Sequence, residues 1–174
     1  MKIRKATERD APAIAALLHT LPDLRSIVSE LPATTAKKIE TNLRLATASS
    51  TSTILVAETD AAAIAGYCAV HWVPFLFFAG GEGYVSEVFV RASDSGNGIG
   101  TRLLDTVIAE ARQRGCTRLS LLNGRNGESY RRNFYAQRGW IEREPMANFV
   151  FPLTHSAPAA SSKPAQSKTP VSPG

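Results

Sequence analysis

The sequence predicts an α/β chain whose strands both neighbour one another and cross over. Three observations predict it. Apolar residues recur at helical spacing in two places, Ile14, Leu17, Leu18 and Leu21, then Leu103, Leu104, Val107, Ile108 and Ala111. Short strand-like runs stand between and after those stretches. The chain has 174 residues, 44% hydrophobic and 20% charged, which suits one globular domain with an appendage.

The elements follow in order. Residues 2–6 read as a first strand. A helix comes next, with Thr7 and Asp10 as caps. Pro22 and Pro32 punctuate a less regular stretch, and Thr35–Ala48 reads as a second helix. Thr53–Glu58 and Ala63–Trp72 read as antiparallel strands joined by a tight turn near Asp60. Val73–Gly83 is expected as a hydrophobic loop and Tyr84–Arg91 as a strand. Thr101–Arg114 is a helix with Gly115 as its left-handed C-cap. Thr117–Leu122 is a strand, and Glu128–Arg138 a helix ended by Gly139. Trp140–Glu144 and Ala147–Leu153 are expected to close as a strand pair. Thr154–Gly174 holds four prolines and five serines, and Val171 is its only large apolar residue. Such a stretch buries too little surface to offset its ordering entropy, so a disordered tail is expected after a 1–153 domain.

Composition narrows the function. No apolar run reaches the ~18 residues of a membrane span. The opening MKIRKATERDAPAI lacks the apolar stretch of a signal peptide, so a cytoplasmic protein without membrane attachment is expected. Cys68 and Cys116 are too few for a disulfide scaffold or a four-ligand zinc site, and no metal constellation appears. Both read as small apolar fillers. The net charge is +5, and without Lys163 and Lys168 of the tail it is +3. Much of that excess lies between Arg102 and Arg143. It suits a small anionic ligand better than nucleic acid, which calls for a long basic stripe with exposed aromatics.

The most informative run is Ser95-Gly96-Asn97-Gly98-Ile99-Gly100, set between a strand and an amphipathic helix. Alternate glycines let a ligand approach the backbone closely. The helix N-terminus adds unpaired N–H groups and the positive end of a dipole. Together they suit a phosphate; a merely flexible loop is the plainer alternative. A dinucleotide fold wants a third glycine where this chain has Leu103 or Thr101, and a nucleoside-triphosphatase loop wants a lysine after Gly100. Neither pattern fits.

The run Glu87-Val88-Phe89-Val90, then the glycine loop and Leu103-Leu104, resembles the acetyl-CoA-binding motif of the GNAT N-acyltransferases. Phe134-Tyr135-Ala136-Gln137-Arg138-Gly139-Trp140 is similar to that family's second motif, and Ile3-Arg4-Lys5-Ala6-Thr7 to its usual start. The element order fits across residues 2–153. The resemblance implies a single domain with a central mixed, mostly antiparallel sheet flanked by helices, its strands splayed at the coenzyme site. It implies acetyl-CoA as co-substrate, held by the backbone of Val88, Phe89 and Val90 and by Ser95, Gly96, Asn97, Gly98, Ile99, Gly100 and Thr101. Ser95 stands where the family usually has Gln or Arg, which leaves the pyrophosphate to the backbone donors of Gly96–Gly100. Asn126 reads as a helix cap or as a further coenzyme contact.

The implied reaction is direct transfer of an acetyl group to a primary amine of a small molecule or peptide in a ternary complex. An alkylamine with a pKa near ~10 must first lose a proton. Glu87 is the candidate base. Simple alternation puts it with Val85 and Phe89 and puts Tyr84, Ser86, Val88 and Val90 on the other face. Among apolar neighbours it is expected to be partly desolvated. Glu82 and His71 are reserves. Tyr135, about 100° round the helix from Phe134, is the candidate proton donor to the leaving sulfur. Arg125, Arg131, Arg132 and Arg138 are either phosphate partners or a solvated helix face. Trp72, Phe75, Leu76, Phe77 and Phe78 either line the acceptor cleft, pack inside, or form a homodimer contact. The rival reading is a non-catalytic acyl-CoA-binding sensor of the same fold.

Overall fold

The computed structural model describes residues 1–24, 29–77, 79–151 and 153. Phe78 and the expected tail at 154–174 lie outside the described residues. The chain groups into two compact units, Met1–Gly124 and Arg125–Gly174.

The first unit carries a five-stranded sheet in the order β1-β2-β3-β4-β5: Lys2–Lys5, Ser52–Glu58, Ile64–Pro74, Gly81–Val90 and Arg118–Leu121. The first four run antiparallel and β5 pairs parallel to β4, so the sheet is mixed and mostly antiparallel as expected. Helices α1 (Ala11–Thr20), α2 (Pro32–Ala48) and α3 (Ile99–Gln113) flank it. Thr7 and Asp10 form a capping box at the turn leading into α1. The β2–β3 turn closes on Ala62 N–H to Thr59 O at 2.9 Å. Gly115, at φ +70, ends α3, and Cys116 N–H closes the end on Ala111 O at 2.9 Å.

The core has two sides. Ile14, Leu17, Leu43, Val56, Ile64 and Tyr67 gather under α1 and α2, with Ile54 and Phe89 packed against them. On the α3 side, Cys68, Val70, Leu103, Leu104 and Val107 are essentially inaccessible. Burial pushes the Cys68 thiol up to about 12, so it behaves as filler, as the sequence suggested.

Strands β3 and β4 are longer than expected. The anticipated loop at Val73–Gly83 shrinks to residues 75–80, because Val73 pairs with Glu82 and Trp72 with Gly83. Gly83 permits this crossing: a Cβ there would collide with Leu119 Cδ2 and stand 2.7 Å from Trp72 Cζ3. The apolar group of that loop also divides. Trp72 is half-buried, donates from Nε1 to Thr53 at 3.1 Å and lies under Arg114 at 4.6 Å. Phe75 meets Phe77 edge-on at 5.9 Å, while Leu76 and Phe77 are exposed.

A second difference concerns alternation. Glu87 pairs with Ala69 but Val85 pairs with Val70, so Ser86 is an extra residue, a β-bulge. Beyond the bulge, Glu87 and Phe89 share the α1/α2 face with Tyr67. Before it, Val85 turns to the α3 face, opposite Val70 and with Val88 and Val90. The grouping of Val85 with Glu87 and Phe89 is therefore broken by one inserted residue.

The second unit departs further from the sequence reading. The expected helix Glu128–Arg138 is a single turn, α4 (Glu128–Arg131), then a 3-10 turn at Ala136–Arg138. Asn133 at φ +52 breaks the run. Gly139 ends it at φ +79, as expected. No strand forms among the described residues of Trp140–Leu153. The Arg143–Met146 turn is present, with Met146 N–H on Arg143 O at 3.1 Å, but Pro145 lacks a donor and a lone two-stranded ribbon buries too little to persist. Phe149, Val150, Phe151 and Leu153 are exposed.

Candidate active site

The glycine loop follows β4 through a short turn at Ala92–Asp94. Gly96 and Gly98 adopt φ +84 and +74, a region that favours glycine. Among the described residues, no atom beyond the two chain neighbours lies within 4 Å of a Cβ placed at either position. The loop thus leaves open space just where α3 begins. Gly98 is the N-cap of α3, and Arg102 N–H to Gly98 O at 3.0 Å is the helix's first backbone bond. The N–H groups of Ile99 and Gly100 therefore have no acceptor one turn upstream in the helix. No acidic side chain occupies that first turn. An open cradle of this kind fits a phosphate group. Ser95 and Asn97 are exposed on the loop, and Thr101 is half-buried.

The same unit supplies an open strand edge. Pairing of β4 with β5 ends at Val85–Leu121, although β4 runs on to Val90. The bond from Arg91 N–H to Ala65 O, 2.8 Å, sets the phase of the β3–β4 ladder. Phe89 then directs its main-chain groups to Tyr67, while Val88 and Val90 direct theirs away from β3. Among the described residues no backbone group bonds them on that side. The open edge arises because β5 ends at Leu121, and it separates the three candidates. Val88 and Val90 offer N–H and C=O groups; those of Phe89 are engaged.

Glu87 stands beside the bulge. It is exposed, so the partial desolvation expected from its apolar neighbours is absent. The bulge turns it onto the rim of the α1/α2 face, where its carboxylate Oε2 accepts the Tyr67 hydroxyl. His71 is exposed nearby, with Nε2 3.1 Å from Ser86 Oγ. Glu82 is 6% exposed and held by Arg118 Nε at 2.6 Å and by the Ser120 hydroxyl. A carboxylate so engaged is a structural partner of β5 rather than an accessible base.

Sequence reading missed Tyr67. The signal was available: a tyrosine amid the buried run Ile64–Val70 needs an acceptor for its hydroxyl.

Tyr135 and Asn126 belong to the second unit. Tyr135 is half-buried, edge-on to Phe134 at 5.0 Å and to Trp140 at 5.9 Å. The aromatic run of the second motif thus packs on itself and orients the ring. Asn126 is exposed, and the cap of α4 is Gly127 rather than Asn126. Arg125 pairs with Glu142 at 2.6 Å, Arg132 with Glu128 at 3.4 Å, and Arg138 lies 4.0 Å over Phe134.

Comparison with known proteins identifies the family and the fold. The family model described as "Acetyltransferase (GNAT) family" matches residues 20–140. Among solved structures, a transcriptional regulator from Bacillus halodurans C-125 superposes with TM-score 0.73 at 23% identity, over 86% of this chain and 99% of that one. A ribosomal-protein-alanine N-acetyltransferase from Brucella melitensis biovar Abortus 2308 gives 0.69 at 22% identity, over 87% and 99%. An aminoglycoside acetyltransferase from an uncultured soil metagenomic sample gives 0.67 at 16%, over 88% and 96%. At these identities the likeness shows the fold. Among curated proteins none matches the chain.

Proposed function

The chain belongs to the GNAT acetyltransferase family, and from that membership we propose that it moves an acetyl group from acetyl-CoA to a primary amine by direct transfer in a ternary complex. One observation carries the reading: an open β4 edge at Val88 and Val90 leads, within one unit, into a glycine loop capping α3.

The thioester supplies an activated acyl carbon and a good leaving group. The chain's residues supply the rest. Gly96, Gly98, Ile99 and Gly100 offer backbone donors and room for the pyrophosphate, with Ser95, Asn97 and Thr101 along the same loop. Val88 and Val90 offer strand-like pairing to the pantetheine amides and a donor for the oxygen that gains charge. Glu87 accepts the proton that the acceptor's ammonium must lose, and its exposure lets the acceptor reach it. Tyr135 is the proton donor to the leaving sulfur. His71, close to the bulge and accessible, is the reserve base.

The acceptor is a small molecule or a peptide end. The test is release of free thiol from acetyl-CoA with spermidine, kanamycin and an alanine-starting peptide, followed by Glu87→Gln on whichever acceptor is used. Turnover that falls about 10²-fold or more in Glu87→Gln supports the reading. Acetyl-CoA binding without turnover on a broad amine panel would favour the non-catalytic sensor instead.

A further inference from the structure

Tyr67 lies in the middle of β3 and is 3% exposed. Its ring packs against Phe89 with centroids 5.7 Å apart, and it belongs to the core under α1 and α2. A hydroxyl in that position is cut off from bulk water and needs a protein acceptor. Its acceptor is Oε2 of Glu87, from the exposed end of the neighbouring strand. Burial above all, and then the negative charge of Glu87, hold the Tyr67 phenol well above its ordinary value. It therefore stays protonated through the working pH range and keeps its proton to donate to the carboxylate. Glu87 is its opposite, an exposed carboxylate on a strand. Such a side chain ordinarily samples several rotamers. Among the described residues the Glu87 carboxylate accepts this one hydrogen bond, and its partner is locked in the core.

We propose that Tyr67 is a positioning residue for the base: it anchors Glu87 through Oε2 and leaves Oε1 to receive the acceptor's proton. The inference rests on the acetyl-transfer reading and on Glu87 as its base. Loss of the hydroxyl should leave the coenzyme loop untouched and release the carboxylate into several rotamers. An ångström of misplacement at a reacting group costs up to about 10²-fold.

The test compares Tyr67→Phe, Glu87→Gln and the double variant, which keep the ring and the side-chain sizes. Turnover is followed with acetyl-CoA and spermidine, kanamycin or an alanine-starting peptide. In parallel, NMR couplings of carbon-labelled, substrate-free protein read the rotamer populations of residue 87. Tyr67→Phe should lower kcat about ten- to a hundredfold with the KM for acetyl-CoA unchanged. It should cause no further loss in the Glu87→Gln background. Couplings should report one Glu87 rotamer in the parent and averaging in Tyr67→Phe. Full kcat in Tyr67→Phe, an equal loss on both backgrounds, or averaged couplings in the parent would each overturn the proposal. If Glu87→Gln alone keeps full activity, the base assignment falls first and the positioning role with it. That result differs from an inactive Glu87→Gln beside a fully active Tyr67→Phe, which removes the positioning role alone.

Discussion

Substitution of Gly98 by aspartate and by asparagine tests the phosphate site most directly. Gly98 sits at φ +74 at the head of α3, and a Cβ there meets no atom within 4 Å. The Cβ of either substitution has room among the described residues. Each carries the left-handed backbone cost, at most about 1–2 kcal/mol and less for these two residues, which tolerate that region best. For a chain of this length that is a drop of roughly 2–8 °C in Tm. Both side chains are of nearly equal size, so they crowd the cradle alike. Only aspartate adds a charge. At about 5 Å in water, two unit charges interact by roughly 0.8 kcal/mol. Two phosphate charges make that about 1.7 kcal/mol, or a factor of about 15–20 in Kd. Calorimetric titration with acetyl-CoA at low salt should therefore show Gly98→Asp binding at least that much more weakly than Gly98→Asn. The gap should narrow at high ionic strength, as the Debye length falls from about 30 Å at 0.01 M to about 3 Å at 1 M. A folded Gly98→Asp variant that binds as tightly as Gly98→Asn at low salt would refute the phosphate assignment.

Three further outcomes are expected. Tyr135→Phe should lower kcat with little change in the KM for acetyl-CoA, by less than the usual ~10²–10⁴-fold of general acid help because a thiolate leaves well unaided; steady-state kinetics showing full turnover would leave the hydroxyl a packing role. Gly83→Ala should destabilise by about 1–3 kcal/mol, since its Cβ would fall 2.7 Å from a Trp72 ring held by Thr53 and Arg114; an unchanged Tm would show that the ring yields freely. Asp10 accepts both Arg4 Nη atoms at 2.8 Å and the Thr7 N–H at 2.7 Å, and Arg4 foremost holds its carboxyl below the usual range. Its folded value is depressed, so its stabilisation is complete above the ordinary ~3.9 and is lost as pH falls through the lower folded value. Asp10→Asn should cost about 2–4 kcal/mol at pH 7, and thermal melts should show the gap closing below about pH 4; a gap equally wide at pH 3 and pH 7 would contradict the assignment.

Much of the first unit was legible in the sequence because local rules govern it. The stripe at Leu103, Leu104 and Val107 can only be a helix face, and glycines at 96, 98 and 115 sit where positive φ is needed. The bulge at Ser86 was not legible. Alternation is a local rule, and an extra residue shows only when the partner strand is aligned. Tyr67 and Glu87 meet 20 positions apart for the same reason. The second unit was misread where pattern exceeds context. Asn133 is a tolerable helix residue by propensity, yet here it takes the left-handed region. Ala147–Leu153 has the composition of a strand, and composition does not supply a partner.

Ser86 is exposed, and its hydroxyl makes only peripheral contacts, to His71 at 3.1 Å and Ala69 O at 3.4 Å. These contacts do not decide where Glu87 points, because its pairing with Ala69 does. Exchange for alanine or threonine leaves the pairing intact, and with it the side on which Glu87 emerges. Deletion would close the bulge into regular pairing, with Glu87 still opposite Ala69 and Val85 still opposite Val70. The carboxylate would stay on the Tyr67 side, and what would be lost is the local bend and extra twist that the added residue gives β4. The side on which the acid emerges is thus held in its pairing with Ala69 across the sheet, where a survey of residue identities along β4 does not look.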